Sequence, residues 1–248
     1  MNGQFEVLRE AGAQTTLGRQ ASPHAAEKGS PAAAARAIQR DVDEQISQLV
    51  QRMFLAPNAG ESRQMVVFSG VDRGAGCSWI CARTAELLAS QIHGRACIVD
   101  ANLRSPSLHT YFRSALAPGF VEAMEQDKPI ERFISPIHEN HLWIMTSGEA
   151  GSGPNGALNP VRLRARFAEL RKRFDFLLVD APAMTCFHDA LTIGHISDGV
   201  VLVIASNSTR REAARAAKQN FIDAKVPIIG AILNKRTYPI PESLYRRL

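Results

Sequence analysis

The sequence is short of three features that would place it in other classes of protein. Its apolar runs all fall below the roughly 18–20 residues that a membrane-spanning helix needs, and its first residues contain no apolar stretch typical of a signal peptide. Its four cysteines form no C-x-x-C pair and show no Cys/His ligand spacing. Aromatic residues make up only 6% of the chain and do not interleave with the basic residues, so nucleic acid is not an expected partner.

The composition favours a globular protein of the cytoplasm. With 248 residues, of which 45% are hydrophobic, the chain can form one large α/β domain and a tail. The net charge of +5 is modest and the basic residues are dispersed, which indicates only a weak attraction to acidic surfaces such as anionic lipid. We therefore expect a cytoplasmic protein, with the inner face of the plasma membrane as an alternative location.

One stretch near the middle of the first half predicts a phosphate site. An apolar run at residues 65–68 is followed by a glycine-rich loop at residues 71–76, an amphipathic stretch at residues 78–92 and a second apolar run that ends on Asp100. This order predicts a βαβ unit whose loop lies at a helix N-terminus, where backbone N–H groups and the helix dipole attract phosphate. The spacing resembles a P-loop, but Cys77 stands where that motif needs lysine.

The four cysteines are not expected to behave alike. A thiol at a helix N-terminus has a lowered pKa and is reactive, which is the expectation for Cys77. Cys81, Cys97 and Cys186 are expected to be reduced and mostly buried. Because Cys77 and Cys81 would share a helical face, a metal or redox pair stays open as an alternative.

The chain divides into four predicted parts. Residues 1–35 are interpreted as a disordered tail and residues 36–57 as a leading helix, which either packs on the domain or meets a neighbouring subunit. Residues 62–236 form the P-loop domain, and residues 237–248 form a C-terminal tail.

The fold class follows from further apolar runs that show no alternation and are separated by helical segments. Such runs predict a doubly wound α/β fold with about seven mainly parallel strands. The runs lie at residues 174–179, 199–205 and 228–233. Because ligands bind beyond the carboxyl ends of parallel strands, the loop, Asp100 and Asp180 should meet at one edge of the sheet.

Three motifs in order carry a family resemblance. Residues 74–78 read Gly-Ala-Gly-Cys-Ser, where the family pattern is Gly-Glu-Gly-Lys-Ser. Residues 97–104 end in Asp-Ala-Asn-Leu-Arg, where the pattern is Asp-x-Asp-x-Arg, and residues 177–183 end in Asp-Ala-Pro-Ala, where it is Asp-Thr-Pro-Pro. With these motifs, residues 65–235 resemble the cytoplasmic domain of the bacterial tyrosine autokinases of capsule and exopolysaccharide systems.

The resemblance implies a MinD/ParA-like P-loop NTPase fold, ATP or ADP with Mg²⁺ as cofactors, and a homo-oligomer. It also implies a partner, the cytoplasmic part of a membrane protein that controls polysaccharide chain length or polymerisation. The residues implied for catalysis are Asp100, Asp180 and Arg104. Those implied for cofactor binding are Arg73, Gly74, Ala75, Gly76, Cys77, Ser78 and Asn234. Those implied for Mg²⁺ are Ser78, Asp180 and Asp100.

The departures from the family pattern affect residues that have chemical roles in the family. Cys77 cannot supply the charge of the P-loop lysine, and Asn102 replaces the second Asp of the middle motif and cannot take a proton at neutral pH. The family's interface motif would need arginines where the chain has Ser47 and Val50. The family's C-terminal tyrosine cluster is reduced to two tyrosines, Tyr238 and Tyr245.

These departures leave three hypotheses. The first is a degenerate, non-catalytic pseudokinase that regulates capsule or exopolysaccharide biosynthesis and binds ATP weakly or not at all. The alternative is an active ATP-dependent tyrosine kinase in which Arg73 or Arg104 replaces the missing lysine. The third is a MinD/ParA-type positioning ATPase, whose additional loop lysine would be Asp72 here. The joint loss at residues 77 and 102 favours the first.

Overall fold

The computed structural model describes residues 6–8, 31–55, 63–138, 141–149, 158–185 and 189–235. Its strands are β1 (Glu6–Leu8), β2 (Met65–Gly70), β3 (Ala96–Asp100), β4 (Ser135–His138), β5 (Leu142–Met145), β6 (Phe176–Ala181), β7 (Gly199–Ala205) and β8 (Ile228–Asn234). Its helices are α1 (Pro31–Val50), α2 (Cys77–Gln91), α3 (Leu108–Tyr111), α4 (Phe120–Glu125), α5 (Pro160–Arg171), α6 (Asp189–Gly194) and α7 (Arg211–Asp223).

The strands form a single mixed sheet in the order β1-β8-β7-β2-β6-β3-β5-β4. The neighbours from β8 to β5 pair in parallel, whereas β1 and β4 pair antiparallel at the two edges. Every residue of β2 and of β3 is buried, as expected for strands covered on both faces. The predicted doubly wound, mainly parallel fold is confirmed.

Helices cover the two faces of the sheet and form two hydrophobic cores. One core contains α1 and α2 packed on Phe68 and Ile98, and the other contains α4, α5, α6 and α7 packed on Val67 and Val99. Alternate residues of β2 and β3 therefore contribute to opposite cores. Among the described residues, no helix combines the length and the apolar character needed to cross a bilayer.

The leading helix packs on the domain. Its residues Ile46, Leu49 and Met53 are buried, and Arg83 of α2 forms a salt bridge of 2.7 Å with Asp43 of α1. The helix is continued by a π-helical turn at Gln51–Leu55.

Two segments of the tail predicted to be disordered have regular secondary structure. The helix α1 begins at Pro31, and residues 6–8 form the edge strand β1 against β8. An edge strand is held by backbone hydrogen bonds and needs no strong side-chain pattern, which is why the sequence did not indicate it. The rest of the predicted N-terminal tail, the C-terminal tail at residues 237–248, Cys186, Tyr238 and Tyr245 lie outside the described residues.

Asp198, just before β7, fixes the start of the central strand β2. Its Oδ2 accepts hydrogen bonds from the backbone N–H groups of Gln64 and Met65, each 2.7 Å long. Its Oδ1 accepts from Arg171 at 2.7 Å. Partial burial alone would raise the pKa of Asp198, but the hydrogen bonds outweigh it and the pKa lies below its ordinary value.

We expect Asp198→Asn to lower the free energy of unfolding by about 1–2 kcal/mol at pH 7, because one charge-assisted network is lost. A carboxyl whose pKa is depressed by folding contributes stability above its unfolded pKa and loses it as pH falls through the folded pKa. The difference between wild type and variant should therefore shrink on acidification. Urea titrations at several pH values measure it, with the exposed Asp223→Asn as control. A difference that grows towards low pH would contradict this role.

Candidate phosphate-binding site

The site is a cavity at the carboxyl edge of the parallel strands. Its volume is about 230 Å³. It lies over the P-loop, defined here as residues 71–78, which joins β2 to α2, and the loops that follow β3 and β6 complete it. The lining residues are Gly70, residues 72–79, Asn102, Arg104, Ser105, Ser107 and residues 181–183.

Two glycines give the P-loop its shape. Gly74 and Gly76 have φ values of +75° and +85°, in the left-handed region that other residues rarely adopt. A Cβ on Gly76 would also lie 2.3 Å from Nδ2 of Asn234, whereas a Cβ on Gly74 would meet nothing within 4 Å. Gly76 is thus required for both its backbone conformation and its close packing.

The end of β8 holds the P-loop from outside the cavity. Asn234 donates from Nδ2 to the carbonyl of Ala75 at 2.8 Å and accepts from the backbone N–H of Lys235 at 2.8 Å. The ammonium group of Lys235 donates to the carbonyl of Gly74 at 2.7 Å. Asn234, expected to bind the cofactor, is buried beneath the loop and does not line the cavity. The contact of Lys235 was not predicted, because a lysine after a strand carries no sequence signal.

The loop after β6 fixes the base of the P-loop. The backbone N–H of Met184 donates to the carbonyl of Gly70 at 2.9 Å. Thr185 donates to the carbonyl of Val71 from its N–H at 3.1 Å and from its hydroxyl at 2.9 Å. The loop conformation is therefore held by the fold itself, with no ligand needed to shape it.

Asp180 is the penultimate residue of β6 and lies behind the P-loop. It is fully buried, and neither of its carboxylate oxygens has a hydrogen-bond partner among the described residues. Burial, and then repulsion from Asp100, raise the pKa of Asp180 to about 8, and the polar groups of Ser78, Cys77 and Asn102 oppose this shift only in part. At neutral pH the carboxyl therefore tends to hold its proton.

Asp100, at the end of β3, shapes a loop. Its carboxylate accepts hydrogen bonds from the backbone N–H groups of Asn102, Ser107 and Leu108 at 3.2, 3.1 and 3.1 Å. Burial raises the pKa of Asp100 to about 6 despite these donors. The residue is fully buried and does not line the cavity, so its catalytic assignment stays a prediction.

The expectation that Cys77 has a lowered pKa is wrong. Burial, the carboxyl of Asp180 and the neighbouring thiol of Cys81 all raise the pKa of Cys77 well above its usual value. Cys77 is half-buried at the cavity wall, where desolvation and a nearby acidic group both disfavour the thiolate. No group of three or more His, Cys, Asp or Glu side chains that could hold a metal ion occurs in the described part of the chain.

The structure thus brings most of the predicted site residues to one cavity. Residues 73–78, Asn102 and Arg104 all line it, whereas Asp100, Asp180 and Asn234 lie behind its wall. Arg73 is exposed on the P-loop. Arg104 has its Nε 3.9 Å from Oδ2 of Asp189 at the start of α6. The cavity is therefore lined by the P-loop at a helix N-terminus and by two arginines, which suits an anion.

The sequence matches no established family profile. It is 30% identical to the tyrosine-protein kinase YwqD of Bacillus subtilis strain 168 over 178 residues, which cover 71% of this chain and 75% of that protein. The chain belongs to the bacterial tyrosine-protein kinase family. A second relative, the tyrosine-protein kinase ptk of Acinetobacter johnsonii, is 28% identical over 171 residues, which cover 68% of this chain but only 23% of that longer protein.

Solved structures agree on the fold. The kinase domain of VpsO has a TM-score of 0.70 at 21% identity and covers 80% of this chain and 98% of that domain. A ParA family ATPase from Chlorobium tepidum has a TM-score of 0.59 at 16% identity, with 68% of this chain and 72% of the ATPase covered. The chain therefore has the P-loop fold shared by tyrosine-kinase domains and ParA-type ATPases.

A matched pair of variants tests the packing of the P-loop. Gly74→Ala should cost about 1–2 kcal/mol of unfolding free energy through its left-handed backbone alone. Gly76→Ala carries the same strain and also displaces Asn234 from Ala75, so it should cost about 1–3 kcal/mol more. Chemical denaturation of both variants measures the difference. Equal losses would show that Asn234 does not hold the loop as described.

Proposed function

We propose that this protein is a kinase-derived regulator that binds nucleotide weakly, does not phosphorylate tyrosine, and controls capsule or exopolysaccharide assembly. One observation carries the proposal. The P-loop position that the family fills with lysine is Cys77, and its thiol is held neutral beside the buried carboxyl of Asp180.

The missing lysine charge would stabilise the phosphoryl group during its transfer. Catalysis of phosphoryl transfer depends almost entirely on positioning and on stabilising developing negative charge. Removing one preorganised donor at such a charge costs about 10²–10³ in rate. Asn102 adds a second loss, because its amide cannot act as the base that the family's second aspartate supplies.

Binding of an anion does not need that charge. The P-loop retains its backbone conformation and lies at the N-terminus of α2, where N–H groups attract phosphate without any side chain. Losing a charge-assisted contact weakens binding by roughly 1.5–3 kcal/mol, or about ten- to hundredfold. Weak binding of ATP or ADP without turnover is the expected outcome.

The residues at the site fit a magnesium ion in part. The hydroxyl-bearing Ser78 lines the cavity, whereas Asp180, whose two carboxylate oxygens have no partner among the described residues, lies behind the cavity wall. Together with phosphate oxygens and water, they would hold Mg²⁺, which would neutralise charge on the phosphates. Because the pKa of Asp180 is raised, the proton on this carboxyl competes with the ion at neutral pH. Asp100 already accepts three backbone hydrogen bonds and is the weaker candidate ligand.

The resemblance to the autokinases supports the biological setting. The relative ptk is much longer than this chain, and the matched residues make up 23% of it. In the proposed arrangement, this protein docks on the cytoplasmic part of a membrane protein that controls polysaccharide chain length. This places it in the cytoplasm or at the inner face of the plasma membrane, and the family resemblance adds a possible homo-oligomer.

An active ATP-dependent tyrosine kinase is the second candidate. Arg73 and Arg104 both line the cavity, so either guanidinium group is placed to neutralise phosphate charge. A guanidinium fork differs from an ammonium group in geometry, and neither arginine occupies the position of the missing lysine. The loss at Asn102 also remains, which favours the regulator.

The purified wild-type protein should form phosphotyrosine with Mg-ATP no faster than a buffer control, because a charge and a base are both absent. Cys77→Lys should remain inactive, since Asn102 still lacks a base, and the pair Cys77→Lys/Asn102→Asp is the variant expected to gain activity. An antiphosphotyrosine assay with mass spectrometry measures this. Phosphotyrosine that accumulates in wild type and disappears in Asp180→Ala would establish the kinase instead.

A genetic complementation experiment distinguishes the regulator from the active kinase in the cell. In a strain that lacks this gene, polysaccharide yield should be restored as well by Asp180→Ala as by wild type if the protein regulates without catalysis. Rescue by wild type alone, with equal protein levels, would favour an active kinase.

A further inference from the structure

The ammonium group of Lys235 forms a hydrogen bond with the backbone of the P-loop. Its Nζ donates to the carbonyl of Gly74 at 2.7 Å. Its stem passes over the neighbouring glycine, with Cε 3.9 Å from where a Cβ on Gly76 would lie. The ammonium group therefore lies on the outer side of the loop, whose inner side lines the cavity.

The backbone around Lys235 directs its side chain at the loop. Lys235 has a φ of +59°, a left-handed conformation that is uncommon for a residue with a side chain. The conformation is held by the hydrogen bond from its N–H to Oδ1 of Asn234. The preceding residue is held in turn, because the N–H of Ser206 donates to the backbone carbonyl of Asn234 at 2.7 Å. These hydrogen bonds fix the direction in which the side chain of Lys235 leaves the backbone.

The side chains of Asn234 and Lys235 donate hydrogen bonds to two successive carbonyl groups of the P-loop. Because a trans peptide directs its C=O and N–H oppositely, holding the carbonyl of Ala75 towards Asn234 turns the N–H of Gly76 to the cavity side. Holding the carbonyl of Gly74 fixes the adjacent peptide, whose N–H, on Ala75, donates to the carbonyl of Asp72 at 3.3 Å. The two contacts therefore keep the loop in a shape that presents the amide of Gly76 to a phosphate.

We propose that Lys235 acts from outside the P-loop as a substitute for the missing P-loop lysine, positioning the loop through Gly74 and adding positive charge beside bound phosphate. This inference rests on the proposed binding of nucleotide phosphates. Lys235 does not line the cavity, so its ammonium group would not touch the ligand. It is a positioning residue, which acts on the ligand by way of the P-loop. Its effect should therefore appear in phosphate affinity more than in stability.

Pyrophosphate and ADP, titrated separately into the full chain and followed by nuclear magnetic resonance, test the proposal. Lys235→Met keeps the stem and removes the charge, and it should weaken binding of both probes about tenfold. Lys235→Arg restores a cationic donor and should bind within about threefold of wild type. Lys172→Met, which removes an exposed lysine at the end of α5, is the matched control and should bind as wild type does. Thermal unfolding of each variant checks that the fold is kept.

A double-mutant cycle distinguishes substitution from simple support of the loop. If Lys235 supplies charge that Cys77 lacks, the effect of Lys235→Met should fall to about twofold or less in a Cys77→Lys background. If Lys235 only supports the loop structurally, Lys235→Met should weaken binding by the same factor in both backgrounds.

The outcomes separate this inference from the proposed function. Wild type that binds pyrophosphate and ADP while Lys235→Met binds them equally well would overturn the role of Lys235 and leave nucleotide binding standing. An undiminished effect in the Cys77→Lys background would also overturn it. Wild type that binds neither probe at millimolar concentration would overturn both this inference and the nucleotide-binding part of the proposed function.

Discussion

A buried carboxyl group beside a neutral thiol is the feature on which the chemistry of this site depends. Asp180 lies fully buried behind the P-loop, and Cys77, which carries no positive charge, stands at the lysine position of the family's P-loop pattern. Without that charge, burial and the nearby Asp100 raise the pKa of Asp180, and Asp180 in turn raises the pKa of Cys77. Asp180 therefore favours the protonated form of Cys77, whereas the hydrogen bond from Cys77 offsets only part of the rise in the pKa of Asp180, and the back wall of the cavity tends towards neutrality.

The fold keeps the shape of the site although the charge is absent. β8 and the loop after β6 hold the P-loop from two sides through hydrogen bonds that involve no ligand. The parallel pairing of β2, β6 and β3 brings the ends of these strands to one edge of the sheet, and the cavity forms at that edge. The proposed function therefore separates anion binding, which depends on backbone shape, from phosphoryl transfer, which depends on charge.

Sequence patterns predicted the centre of the fold better than its edges or its electrostatics. The apolar runs of β2, β3 and β7 indicated buried parallel strands, whereas the edge strands β1 and β4 carry no comparable pattern. The motifs located the cavity and its lining. They could not predict the raised pKa of Cys77 or the contact of Lys235 with Gly74, because both depend on side chains that only the folded sheet brings together.

The titration of Asp180 tests the central claim most directly. Nuclear magnetic resonance of carboxyl carbons, with Asp180→Asn to assign the signal, gives the pKa of this group in wild type and in Cys77→Lys. The account predicts a pKa of about 8 in wild type, lowered towards the ordinary aspartate range when lysine supplies a neighbouring charge. A wild-type Asp180 that titrates near 4, the usual value for aspartate, would contradict it.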